Sequence, residues 1–520
     1  MEGFRVSLSM FRDRLRARKA RLQERLDRDN FPEGDHPVMR ASNIHYELAG
    51  RSVATNYGGI GLMYELARES GLIEAIDRNL DLFRVHLPYH ESDHVLNIAF
   101  NACCDGTCLE DIEHRRQDEA YLDALGAERI PDPTTAGDFC RRFDVPHIDA
   151  LHRAYDQARL KVWGRQPAGF FTQAKIDADG TIITTTGECK EGMDISYKGD
   201  WGYHPLIVSL ANTGEVLRIV NRPGNRPSGE GASRQLDEVI ALCRLAGFQS
   251  ILIRGDTDFT QTTHLDRWHE SGDVTFIFGM DVTQRRLAFV DELGPSAWTS
   301  LDRPPRYQVH TKPRRRPDRV KQRIVDERQY HEKRLEREEV AELTYRPLAC
   351  KHAYRMILVR KHIRERERGQ LRFLPNCEYL FYITNDWTST PAEIVFSAND
   401  RCNQENLIAQ LGSGVRALRA PVDNLVSNWA YMVMTSLAWN LKAWLALWTV
   451  APAGRWHARH TAEQDEVLRM EFRTFVSFFI RVPCQIITTG RKVVYRLLAW
   501  NAWQGVFCRM AALFSRPLRC

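Results

Sequence analysis

Between residues 170 and 279 the chain carries its apolar residues in short runs of strand period, and the order of those runs restricts the fold more than any other feature. Lys175–Thr185 opens with alternation that sets Lys175, Asp177 and Asp179 on one face and Ile176 and Ala178 on the other. His204–Ala211 and Glu215–Asn221 flank the turn sequence Asn212-Thr213-Gly214, which predicts an antiparallel hairpin. Helical spacing over Ala232–Ala246 leads to an apolar strand, Ser250–Arg254, that ends at Gly255-Asp256. A helix over Thr263–Glu270 and a fifth strand, Val274–Gly279, complete the series.

Three antiparallel strands followed by helix, strand, helix and strand is the element order of a ribonuclease-H-like α/β core. The order then lapses for about a hundred residues, too long for a structureless loop in a compact domain. We expect a β-rich insertion there, with strands at Tyr307–Val309, Tyr354–Val359 and Glu378–Asn385 and a highly charged helix over Arg319–Glu342. Helical spacing resumes at Pro391 and runs to Leu411. The flanks read as helical. The N-terminal one begins with an amphipathic basic helix (Leu8, Phe11, Leu15, Leu22, Leu26) and continues through a helical stretch from Gly59 to Trp163, with Thr134 or Thr135 as one cap and Pro146 opening a long helix. The resulting division is a helical N-terminal region (1–165), whose small helices suit a DNA-binding region as they suit any helical bundle, the first part of the core (166–285), an insertion domain (286–388), a core helix (389–420) and a helical C-terminal region (421–520).

The 520 residues carry a net charge of only +5, so the position of the charge is more informative than its sum. Arg is dense in Arg12–Arg28 and Arg303–Arg368, as for a polyanion touched at several places. The twelve Cys include no CxxC pair, and Cys103, Cys104 and Cys108, near His114, read as small core residues. Unpaired Cys and an N-terminal stretch without an apolar run before a cleavage site are the pattern of a cytoplasmic protein. Trp429–Val450 is the most apolar run; Asn440 and Lys442 interrupt it, and we expect a buried helix with no membrane partner.

Three acids stand in settings that suit a shared site. Asp179 is on the first strand, Asp256 at the carboxyl end of the fourth, and Glu405 on the helix after the interruption. In the expected fold the first and fourth strands are neighbours, so their acids can face one cleft. Carboxylates of one charge raise each other's pKa, and a divalent cation removes that cost. Three of them can hold two Mg²⁺ ions, which suits in-line attack on a phosphodiester. Asp177 and Asp258 are the alternatives to Asp179 and Asp256.

The stretches IDADGT, IRGDTDF and NDRCNQENLIAQL resemble the three acidic motifs of bacterial insertion-sequence transposases of the DDE class. The branch is the one whose last acid lies in a Tyr-Arg-Glu-Lys signature and whose core carries a β-rich insertion. The resemblance covers roughly Asp177 to Arg419, with Arg401 and Glu405 at i and i+4. The signature's Tyr and Lys would fall at Ala398 and Gly412, so both are absent. The resemblance implies a transposase that binds the inverted ends of its element and cuts and joins strands. Asp179, Asp256 and Glu405 would be its catalytic and metal-binding acids. It implies two Mg²⁺ ions, for which Mn²⁺ can substitute, and double-stranded DNA as partner, both element ends and target. A homodimer on DNA and a location at the bacterial nucleoid also follow from it. Arg401, Arg416 and the cluster Arg314, Arg315 and Arg316 are the expected DNA contacts, and Trp298 or Trp387 could stack on an expelled base. The competing readings are a nuclease of the same fold without strand transfer, and a transposase-derived DNA-binding protein that no longer catalyses.

Overall fold

The computed structural model describes residues 2–27, 44–46, 53–86, 88–187, 190–303, 323–324, 327–328, 332–367, 370–371, 376–489 and 492–514. The chain forms two compact units, one of residues 1–165, 414–417 and 434–520, the other of residues 166–413 and 418–433.

The first unit opens with helix α1 (Glu2–Leu26) and a two-residue strand β1 (Ala54–Thr55). Seven helices follow: α2 (Ile60–Glu69), α3 (Leu72–Asn79), α4 (Glu91–Cys103), α5 (Ile112–Arg116), α6 (Glu119–Leu125), α7 (Pro133–Arg141) and α8 (Val145–Trp163). The cap of α7 differs from expectation. Asp132 caps it, accepting from the Thr135 amide at 2.8 Å with Pro133 at the first helical position. An ionised Asp is the better acceptor and stands where Pro133 needs no N–H partner. Cys103 and Cys104 are buried in the core, as expected.

The second unit is built on one large mixed sheet. Its first strand is β2 (Gln173–Gly180), followed by three short strands that form a separate sheet, β3 (Ile183–Thr184), β4 (Asp194–Ile195) and β5 (Trp201–Tyr203). The expected hairpin is present as β6 (Leu206–Leu210) and β7 (Glu215–Val220). Helix α9 (Ala232–Ala246) leads to β8 (Ser250–Gly255), then α10 (Leu265–Glu270) to β9 (Val274–Met280). Strand β2 pairs parallel with β8 and β8 parallel with β9, whereas β6 and β7 are antiparallel.

After α11 (Gln284–Glu292), the chain adds β10 (Thr299–Ser300), β11 (Glu332–Tyr345), β12 (Tyr354–Glu367), β13 (Gln370–Leu371) and β14 (Asn376–Thr384). These strands extend the same sheet, because β14 pairs antiparallel with β9. The charged helix expected up to Glu342 is not formed from Glu332 onward; that stretch is a strand. Its partner decides this. Val340 and Ala341 lie opposite Val359 and Leu358 of the fully buried Met356–Val359 run. The charges are matched across the pair, with Glu339 accepting from Arg360 at 2.9 Å and lying 2.6 Å from His362. Burial and cross-strand pairing outweigh the helical preference of a Glu- and Arg-rich sequence. The strand expected at Tyr307–Val309 lies outside the described residues.

Thr390 and Glu393 form a capping box that starts α12 (Pro391–Asp400), and α13 (Cys402–Ala409) follows after a break at Arg401. Ile394 and Val395 of α12 pack with Leu252, Ile277, Val340, Ile357 and Val359. Helix α14 (Leu425–Trp448) is the expected apolar helix. Its buried Lys442 donates to the Leu468 carbonyl at 2.8 Å and lies over the Trp439 ring, while burial lowers its pKa to about 7. Among the described residues no helix is long and apolar enough to cross a membrane.

The C-terminal region is not wholly helical. Beyond α15 (His457–Arg469), β15 (Cys484–Thr489) and β16 (Lys492–Leu497) form a hairpin that pairs with β1, before α16 (Gln504–Phe514). The Gly58 and Gly59 amides donate to Val482 and Ile480 beside it. A Cβ at Gly59 would stand 1.7 Å from the Phe479 carbonyl oxygen, so only glycine allows that approach. β15 and β16 pair with each other locally, and only the third strand, β1, comes from more than 400 residues away, as the pairing of Ala54 with Gln485 shows.

Candidate active site

The parallel pairing of β2 with β8 puts Asp177 opposite Arg254, and their side chains meet. Arg254 donates to both Asp177 oxygens, at 2.7 and 2.8 Å, and to the Ser397 carbonyl at 2.7 Å. Both side chains are buried. Two residues further along β2, Asp179 lies near the strand's carboxyl end, and Asp256 directly follows β8. The two acids thus project from the same end of adjacent parallel strands. A Cβ at Gly180 would meet the His204 ring at 2.7 Å, so the residue after Asp179 has to be small.

Asp179 is mostly buried and accepts from Arg401 Nη1 at 3.0 Å and from the Gly180 amide at 2.8 Å. Burial raises its pKa to about 6; Arg401 opposes that shift and Asp256 adds to it. The Asp256 carboxyl is also raised, first by burial, against the opposing charge of Arg401, with Asp258 and Asp281 adding to the rise. It accepts from the Asp258 amide at 3.0 Å. Arg401 is therefore the cation that both acids feel. Two carboxylates driven toward protonation while sharing one guanidinium are short of positive charge, and a divalent cation would supply it.

Glu405 is exposed on α13, one turn beyond Arg401. The helix is fixed to the sheet by its neighbour: Gln404 donates to the Ile207 carbonyl at 3.1 Å and accepts from Ser209. Ile207 lies opposite Asp179 in the sheet, so this contact sets α13 beside the first acid. The ligating atoms of Asp179, Asp256 and Glu405 do not come within 4.8 Å of one another as a trio.

A cleft of about 350 Å³, whose lining does not include Asp179 or Glu405, is walled by Asp256, Thr257, Asp281, Tyr382, Asn399 and Arg401 among others. Sequence reasoning missed three of these. Asp281 follows an apolar strand just as Asp256 does, a signal that was available. Tyr382 comes from β14, more than a hundred residues away, and nothing local marked it. Asn399 Nδ2 is buried without a hydrogen-bond partner.

The other expected site residues fall elsewhere. Arg416 donates to the Asp105 and Gly106 carbonyls at 3.1 and 3.2 Å. Arg314, Arg315 and Arg316 lie outside the described residues. Trp298 is buried under the Arg360 guanidinium, 4.0 Å from its ring centre, whereas Trp387 is half exposed.

The family model for the transposase DDE domain, group 1, matches residues 36–517. The chain belongs to the DDE transposase family. Among solved structures it is similar to a piggyBac transposase in a synaptic complex with hairpin DNA, at 12% identity, with 83% of this chain and 88% of that chain covered and a TM-score of 0.34. A search of the curated proteins finds no match.

Proposed function

We propose that this DDE-family chain is an insertion-sequence transposase of the Tyr-Arg-Glu-Lys branch, which binds the inverted ends of its element and cuts and joins DNA strands. Its core would be ribonuclease-H-like, formed by β7, β6, β2, β8 and β9. The order of these strands, two antiparallel and three parallel, supports that reading. The observation that carries the proposal is the pair Asp179 and Asp256, set at the ends of neighbouring parallel strands, both with raised pKa and both facing Arg401.

Asp179, Asp256 and Glu405 are the residues that would hold Mg²⁺ or Mn²⁺, and the first two fit that role by their unmet charge. When bound, two such ions supply an activated water or 3′-hydroxyl and a stabilised leaving oxygen. The chain's own groups do the rest. Arg254 occupies Asp177 and so keeps it out of the cleft. Arg401, now paired with Asp179 at 3.0 Å, is the guanidinium placed to bind a phosphate beside the acids. Gln404 keeps α13 against β6, so that Glu405 stays within reach. The missing Tyr at Ala398 leaves the wall beside Tyr382 open, and that phenol is raised in pKa chiefly by burial, next to Arg303 and Arg401. The basic cluster Arg314–Arg316 would track the backbone of the element end, in a protein acting as a homodimer on DNA at a bacterial nucleoid.

The test is a reaction with a linear fragment carrying the element end, a supercoiled target plasmid and Mg²⁺. The proposal expects ends cut at the element boundary and then joined to the plasmid through a 3′-hydroxyl. Cutting without any joined product would leave a nuclease, and the absence of both products would contradict the reading.

A further inference from the structure

The segment that joins α3 to α4 carries a cluster that the transposition chemistry does not use. Glu91, the first residue of α4, is buried although it is a carboxylate, with 1% of its side chain exposed. One of its oxygens is fully engaged: Oε1 accepts from the amides of Leu82 and Phe83, at 3.1 Å each. The other, Oε2, is buried and has no hydrogen-bond partner. It lies 3.1 Å from Nε2 of His86, yet the contact lacks the alignment of a hydrogen bond. The His86 ring stacks on that of His90, with centroids 4.6 Å apart and planes 6° from parallel. One ligating atom from each of His86, His90 and Glu91 lies within 4.8 Å of the other two.

A buried carboxylate oxygen with nothing bonded to it is costly, because its desolvation is not repaid. Here the empty side of that oxygen is the side on which two imidazoles gather. Two imidazoles and an unbonded carboxylate oxygen, each offering a ligand atom within 4.8 Å of the others, make a group that a cation would complete. We propose that His86, His90 and Glu91 form a Zn²⁺ site. Two imidazoles and one carboxylate are a familiar ligand set for zinc, and with metal–ligand bonds of about 2.0–2.1 Å a tetrahedral site spaces its ligand atoms about 3.3 Å apart. The observed 3.1 Å is close to that edge; the stacked His86 and His90 rings would have to turn out of their stack for both nitrogens to point at one ion, and their exposure leaves room for that turn. The two amides on Oε1 fix the carboxylate from behind, the part that outer-shell hydrogen bonds play at metal sites. Glu91 also offsets the positive end of the α4 dipole, which would otherwise repel a cation. The fourth position is left to water. Bound there, zinc would tie the stretch before α4 to the helix start and stiffen this part of the first unit. It is a site separate from the acids of the second unit, made of different ligands and suited to a softer metal.

The full-length protein, stripped with EDTA and dialysed, would be titrated with Co²⁺ in millimolar Mg²⁺, following the visible bands of tetrahedral cobalt, and then with Zn²⁺. One equivalent of Co²⁺ should give those bands and Zn²⁺ should displace it. The double variant His86→Ala/His90→Ala changes two exposed side chains, one of them the N-cap of α4, and circular dichroism checks that it stays folded. It should lose the bands and bind Zn²⁺ more weakly by at least the ~10–100-fold that losing one outer-shell partner costs. Asp179→Asn/Asp256→Asn should keep both. Wild-type protein without tetrahedral cobalt bands, or bands of equal strength in the histidine variant, would overturn the proposal.

Discussion

Both oxygens of Asp177 are held by Arg254, at 2.7 Å from Nε and 2.8 Å from Nη2, and this pair ties Asp177 into the sheet. Asp177 locks β2 to β8, and Asp179 pairs with Arg401, which lines the cleft. Removing one partner leaves a buried charge unmatched. Asp177→Ala should therefore cost about 3–5 kcal/mol of stability, in the range for breaking a buried ion pair. Chemical denaturation measures this, and a change below about 1 kcal/mol would show that the pair is not structural.

The raised pKa of Asp179, about 6 against the usual 3.8, has a definite sign. Ionising a carboxyl whose folded pKa is raised costs stability, and the cost grows from pH 4 to pH 6 and stays above it. Asparagine carries no such cost. In EDTA, Asp179→Asn should melt a few degrees above wild type at pH 7.5, with the difference gone near pH 4. Mg²⁺ should raise the melting temperature of the wild type more than that of the variant. A variant less stable than wild type at pH 7.5 would mean that Asp179 is satisfied by Arg401 alone.

Gln404 is a positioning residue. Its bonds to Ser209 and the Ile207 carbonyl hold α13, and Gln404→Ala should loosen Glu405 without changing the acids themselves. We expect cleavage to slow by about tenfold, the effect of roughly 1.4 kcal/mol on a barrier, with affinity for the element end unchanged. Equal reductions in binding and cleavage would instead indicate damage to the fold.

Arg314, Arg315 and Arg316 should act through phosphates. Changing all three to Ala should weaken binding to every DNA alike and flatten the salt dependence by about 0.9 of slope for each phosphate that is no longer neutralised. An unchanged slope would place the grip on DNA elsewhere.

Much of the second unit was legible in the sequence because its signals are local. The Asn212-Thr213-Gly214 turn, the apolar run before Asp256 and the Thr390-Pro391 start of α12 each carry their own geometry. What escaped depends on distant partners. Glu332–Glu342 is a strand because it pairs along β12 and buries Val340 and Ala341 there, the C-terminal hairpin pairs with a strand at Ala54–Thr55, and Tyr382 reaches the cleft from a strand added at the sheet's far side. At the site, the Asp177–Arg254 pair was not legible, because the two residues lie 77 apart in sequence and meet only through the pairing of β2 with β8.

The central claim is that Asp179, Asp256 and Glu405 are needed for chemistry and not for holding DNA. The direct measurement sets a cleavage assay beside a gel shift on the element end, for Asp179→Asn, Asp256→Asn and Glu405→Gln, each in Mg²⁺ and in Mn²⁺. The account predicts that every variant loses cleavage by at least about 10³-fold, some 4 kcal/mol of barrier, while binding stays within a few-fold of wild type. Near-normal cleavage by any one of them would contradict its place in the site, and the neighbouring Asp258 or Asp281 would then be the acid to change.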